Sequence, residues 1–185
     1  MGGINGLRES LVATLVMAAT STFADAFWAA AIPEHRASYG LAHGGLLLAV
    51  MGLVVARATG GERNRFAALA GLLIGVLAAA LFYLLFPVIG FKAAMVVAWM
   101  ALWVALAFVG NTAGGGVETG SRTVARGALA ALLAGLGFWM ISDIWLGAHD
   151  PGSLYWRSFA YWCVAFLPGF VALLLWRDRP ATVGR

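Results

Sequence analysis

The chain is built from apolar runs, each close to the length needed to cross a bilayer. Leu11–Ile32, Tyr39–Val55, Phe66–Phe86, Ala93–Val109, Thr123–Leu146 and Leu154–Trp176 follow one another with only short polar breaks. A helix rises about 1.5 Å per residue and the hydrocarbon core is about 30 Å thick, so roughly 20 apolar residues make one span. Composition agrees: 62% of residues are hydrophobic and 11% charged, against about 45–50% and about 25% in soluble domains. These features predict an all-α integral membrane protein, a six-transmembrane-helix bundle of three hairpins. No polar stretch is long enough to fold separately, so residues 1–185 form one domain.

The first run has a second reading. Leu11–Thr20 has the character of a signal-peptide core, and Ala24-Asp25-Ala26 resembles a small-residue cleavage site. Against it, Arg8 and Glu9 leave the leading segment neutral, and apolar residues continue through Phe27-Trp28-Ala29-Ala30-Ala31. The retained helix is the preferred expectation.

Basic residues set the orientation. Arg8, Arg57, Arg63, Arg65, Arg122, Arg126, Arg177, Arg179 and Arg185 lie on one side of the predicted bundle, and Arg36, Lys92 and Arg157 on the other. Lys and Arg concentrate on the cytoplasmic face, so both termini are expected in the cytoplasm of a cell with this inner (plasma) membrane protein. The turns at Pro33, Pro87 and Pro151 then face outward. The net charge of +4 is accounted for by arginines at span ends, which meet anionic lipid; no nucleic-acid partner is expected. The lone Cys163 lies in an apolar run and offers no intrachain disulfide or metal motif.

Small residues predict how the helices meet. Gly40 and Gly44, and Gly71 and Gly75, form two GxxxG spacings, which let backbones approach closely. With alanine abundant throughout, tight packing with little interior volume is expected. Pro168-Gly169 is expected to kink the last helix. Trp99 and Trp103, four residues apart, form an aromatic stripe facing lipid, a partner subunit or a hydrophobic ligand.

Ionisable groups inside a membrane are costly, which makes each a candidate functional group. Asp25 shares a helical face with Ser21 and Thr22, and nothing basic on its own helix answers it. Tyr39 shares a face with His43, Trp139 with Asp143, and Arg157 with Tyr161. Depths from the outward turns bring these groups to one level on the first and third hairpins. The expected ligand-binding set is Asp25, Trp28, His35, Arg36, Tyr39, His43, Asp143, Trp145, His149, Arg157 and Tyr161. The Asp143–Arg157 pair reads equally well as a salt bridge clamping a hairpin. Asp25, His35, His43, Asp143 and His149 are of metal-ligating types, and His43 suits haem. No HxxxH or ExxH spacing supports either, and the cofactor is left unknown.

No catalytic motif is legible: there is no Ser-His-Asp order, and Gly114–Gly116 lacks the Lys-Ser/Thr of a phosphate loop. In length and layout the chain is similar to the substrate-binding subunits of energy-coupling-factor vitamin transporters. Ala26 and Ala30 form the small-residue spacing such subunits use. The similarity covers length and topology and implies no residue role. Three functional readings follow. The leading one is binding or transport of a small molecule or ion in an outward polar and aromatic pocket. The second is a non-catalytic accessory subunit, held in a larger membrane complex or homo-oligomer. The third is a haem- or metal-binding redox protein.

Overall fold

The structure is a computed structural model describing residues 2–31, 37–116, 118–147 and 154–175, with side chains described except at 2, 3, 28–31, 142–147 and 154. The described residues form six helices: α1 (Gly2–Ala31), α2 (Ala37–Ala58), α3 (Asn64–Ile89), α4 (Phe91–Ala113), α5 (Gly120–Gly147) and α6 (Leu154–Leu174). All six are long and apolar enough to cross a membrane. The chain is a multi-pass membrane protein.

Several boundaries differ from the sequence expectation, each for a local reason. Helix α1 starts at Gly2 instead of Leu11. Its extra turns dock on α6: the buried Ser10 hydroxyl donates to Gly6 O at 2.8 Å and to Phe170 O at 3.1 Å. Pro87, expected in a turn, lies inside the last turn of α3. So close to a helix end its missing N–H costs one bond only. The chain turns instead at Gly90, whose φ of 81° is readily adopted only without a side chain. Helix α4 runs to Ala113 instead of ending at Val109, so the glycine-rich break after it is shorter than expected.

The helices form a ring in which α1 packs on α6, α6 on α5, α5 on α4, α4 on α3 and α3 on α2, with α2 also reaching α4. The α2–α3 contact is the closest. A methyl group on Gly71 would strike the Leu48 carbonyl, and one on Gly75 the Gly44 carbonyl. Here the GxxxG expectation holds: missing side chains let two backbones touch, gaining dispersion contact where lipid supplies no hydrophobic drive. Helix α3 buries little else. Leu69, Leu73, Leu77 and Leu84 are 57–72% exposed and present an apolar face to the bilayer. Tight packing is not uniform, however. The α1–α2 contact that closes the ring is looser and leaves a cleft.

Aromatic rings fill the interior. Trp103 is fully buried and Trp99 nearly so, at 7% exposure, so the expected lipid- or partner-facing stripe is instead the centre of the core. Trp99 stacks on Phe138 at 5.0 Å and meets Phe166 at 5.1 Å. Trp103 meets Phe170 edge-on at 5.1 Å. The chain turns these rings inward because the opposite faces of α4, α5 and α6 carry the residues that meet lipid, such as Phe108, Leu136 and Val164. The Trp99 indole donates to Ala134 O at 3.2 Å. Each such pair adds about 0.5–1.5 kcal/mol beyond area burial.

Candidate functional site

Asp25 is the membrane-embedded carboxylate best defined by the structure. It lies within the α1 span Ile4–Phe27. The Trp162 indole N–H of α6 donates to its Oδ2 at 2.7 Å. Trp162 is held in place by stacking on Phe166 at 5.4 Å and by Trp99 at 5.8 Å. The acid is therefore tied to the aromatic core through a rigid donor. Indole is neutral, so the bond orients the carboxyl group without supplying a countercharge.

Hydroxyl groups surround this acid. Ser21 and Thr22 precede Asp25 by four and three residues, and these separations place all three on one face of α1. Ser158, one turn before Trp162 on α6, also approaches the carboxylate, short of hydrogen-bond geometry. The hydroxyls of Ser21, Thr22 and Ser158 are buried and have no hydrogen-bond partner among the described residues. Ser21 is only 1% exposed. Leaving a buried hydroxyl unpaired costs about 1–3 kcal/mol. The other α1 hydroxyls in the core avoid this cost: Ser10 bonds Gly6 O, and Thr14 bonds Ser10 O at 2.8 Å. Three of the four buried unpaired groups among the described residues thus gather at the level that also carries a carboxylate; the fourth is the Trp103 indole N–H in the aromatic core. Five oxygens, two of the carboxyl group and three of hydroxyls, lie in a low dielectric, which suits a ligand bringing positive charge or hydrogen-bond donors.

The remaining predicted residues fall into three groups. Tyr39 is exposed, while His43 and Tyr161 are half-buried; His43 is engaged within the protein, and Tyr161 packs against the core. Arg157 is exposed. Trp28, Asp143 and Trp145 lie on α1 and α5, but their side chains are outside the described set, so the Asp143–Arg157 pairing is too. His35, Arg36 and His149 lie outside the described residues. Among the described residues, no three His, Cys, Asp or Glu side chains cluster as a metal ion would require. Lys92, at the start of α4, places its ammonium 4.1 Å from the centre of the Trp139 ring on α5.

Sequence reasoning missed Trp162 as the hydrogen-bond partner of Asp25 and Ser158 as its neighbour. It selected Arg157 and Tyr161, the pair one residue earlier. One residue turns a helix by about 100°, enough to move from one interface to the next. The signal lay in Ser158 and Trp162 themselves, a polar and an amphipathic side chain four residues apart.

A second buried polar cluster lies near the other end of the bundle. Arg126 was expected to be a solvated, orienting charge, yet it is 8% exposed. Its Nη2 meets Glu118 Oε2 at 2.7 Å, with the Arg126 and Glu118 side chains 8% and 4% exposed. Its Nε donates to the same oxygen at 3.1 Å, and its Nη1 donates to Leu173 O at the end of α6. The Asn111 side-chain amide pairs with the Glu118 backbone, accepting from its N–H at 3.2 Å and donating to its carbonyl at 3.1 Å. This cluster fastens the α4–α5 connection to the C-terminal end of α6. Its groups satisfy one another, which marks it as structural, in contrast to the unpaired hydroxyls around Asp25.

No protein-family model, curated protein or solved structure matches this chain.

Proposed function

We propose that this protein sits in the inner (plasma) membrane with both termini in the cytoplasm, and binds a small molecule or ion through a polar and aromatic site in the outward half of the bundle. It acts as a transporter or as the binding subunit of one. One observation carries the reading: an intramembrane carboxylate, Asp25, grouped with three buried hydroxyls that have no partner among the described residues. A bundle selected only for stability would satisfy or replace these groups, because each is costly in hydrocarbon.

In this reading Asp25 supplies charge, and Ser21, Thr22 and Ser158 supply oxygens. Trp162 fixes the carboxylate and forms part of the aromatic wall. Tyr39, His43 and Tyr161 extend the wall. Asp143 and Arg157 shape the site, Trp28 and Trp145 line it, and His35, Arg36 and His149 stand at its mouth. The ligand class that fits is cationic or rich in hydrogen-bond donors.

The test is a thermal-unfolding screen of the detergent-solubilised protein against monovalent cations and small organic cations. A ligand at 100 times its Kd stabilises by about 2.7 kcal/mol, roughly 5–10 °C for a chain of this size. Asp25→Asn, which keeps an acceptor for Trp162, abolishes that shift without lowering the unliganded Tm by more than about 2 °C. An equal shift in the variant, or no stabilising cation at all, sinks the proposal.

A further inference from the structure

The cleft between α1 and α2 has no part in that reading. It measures about 740 Å³ and opens at the end of the bundle where α1 begins and α2 ends. This falls within the usual range of ligand pockets, about 300–1,000 Å³.

Its lining is divided by depth. Arg8 of α1 and Arg57 of α2 both border it. The two helices run antiparallel here, so Val12 comes opposite Leu53 and Val16 opposite Val50, all four lining the cleft. The arginines therefore share a level at the edge of the spans Ile4–Phe27 and Ala37–Ala58. From Arg8 to Val16 the apolar walls continue for about 12 Å along the helix. Val12 and Val16 are 54% and 43% exposed, so the cleft opens sideways to the bilayer. Glu9 also borders it, but this acid is engaged within the protein. Among the described residues, two cations stand against one acid at the rim. Asn64 Oδ1 accepts from the Arg57 Nε at 3.0 Å, which steadies the guanidinium.

An occupant must match anionic chemistry at the membrane boundary and hydrocarbon directly beneath it. We infer that the cleft binds an anionic phospholipid, with the phosphate between Arg8 and Arg57 and one acyl chain along the valine-lined wall. Guanidinium suits the headgroup because its planar fork meets phosphate through paired hydrogen bonds. On the orientation proposed above the site belongs to the cytoplasmic leaflet. It does not depend on the Asp25 reading, since the 17 residues from Arg8 to Asp25 span about 25 Å of helix.

The experiment is a native mass-spectrometric titration of the full chain in mild detergent. Phosphatidylglycerol is compared with phosphatidylcholine of the same acyl chains, and with soluble glycerol 3-phosphate as competitor. Phosphatidylglycerol is expected to bind about 30-fold more tightly than phosphatidylcholine, from about fivefold per arginine. The double variant Arg8→Gln/Arg57→Gln is expected to erase that preference. Both residues are exposed, so the variant keeps the wild-type Tm. Val12→Trp, which fills the wall, is expected to weaken both lipids. Asp25→Asn is expected to leave the titration unchanged. Equal binding of the two lipids, or an intact preference in the double variant, overturns the inference. So does glycerol 3-phosphate displacing phosphatidylglycerol at equal concentration, since the site would then be one for soluble phosphate.

Discussion

Replacing Arg126 with methionine is the sharpest test of how the bundle is held together. Methionine keeps the length and apolar bulk of the side chain and removes the guanidinium. Three bonds are lost: two to Glu118 Oε2, at 2.7 and 3.1 Å, and one to Leu173 O. The larger effect falls on what remains. The Glu118 side chain, 4% exposed, keeps a buried charge whose remaining side-chain contact among the described residues is a long 3.4 Å one from the Thr123 hydroxyl. Removing one partner of a buried ion pair costs about 3–5 kcal/mol. At about 2–4 °C per kcal/mol this lowers Tm by roughly 6–20 °C. The assay is thermal unfolding in detergent, followed by the fluorescence of the eight tryptophans. Glu118→Gln in the same background removes the stranded charge and is expected to recover about 1–3 kcal/mol. A loss below about 2 °C in the single variant, or no recovery in the double variant, would refute the reasoning.

Further outcomes follow from the same geometry. Gly75→Leu drives a side chain into the Gly44 carbonyl; we expect a loss of more than about 3 kcal/mol or failure to accumulate in the membrane, read from Tm and yield. Trp162→Phe removes the donor to Asp25 and should cost about 1–3 kcal/mol while also abolishing ligand-induced stabilisation in the cation screen. Gly169→Ala should be more disruptive than a surface substitution, because a methyl group there lies 2.6 Å from Trp103 Cζ2. Overpacking of that kind costs about 1–3 kcal/mol, again measurable as Tm.

The parts of the fold legible in sequence are those set by one-dimensional properties. Six apolar runs gave six helices, because span length depends only on local hydropathy. The glycine spacing at Gly71 and Gly75 predicted a close backbone approach, because absence of a side chain acts the same way in any bundle. Asp25 could be singled out, with Ser21 and Thr22 beside it, because all three lie on one helix. Its partner lay out of reach, since the rotation of α6 is decided by packing of Trp162, Phe166 and Phe170 against α4 and α5. Arg126 was misread for a related reason. Counting charges at span ends treats each as solvated, yet Arg126 shares a helical face with Thr123, Ala130 and Ala134, all buried. That periodicity, together with Glu118 and Asn111 nearby in the chain, was the available signal. The looseness between α1 and α2 has no sequence signature, because it depends on how six helices close a ring.

The central claim is that the Asp25 group exists to hold a ligand. Native mass spectrometry of the protein extracted in mild detergent, beside its Asp25→Asn variant, tests it most directly. The account predicts that the wild-type chain of 19.4 kDa carries a bound cationic or donor-rich species that the variant has lost, with both proteins equally folded. Identical spectra from the two proteins would contradict it, and would make the carboxylate and its hydroxyls a structural feature of the α1–α6 interface.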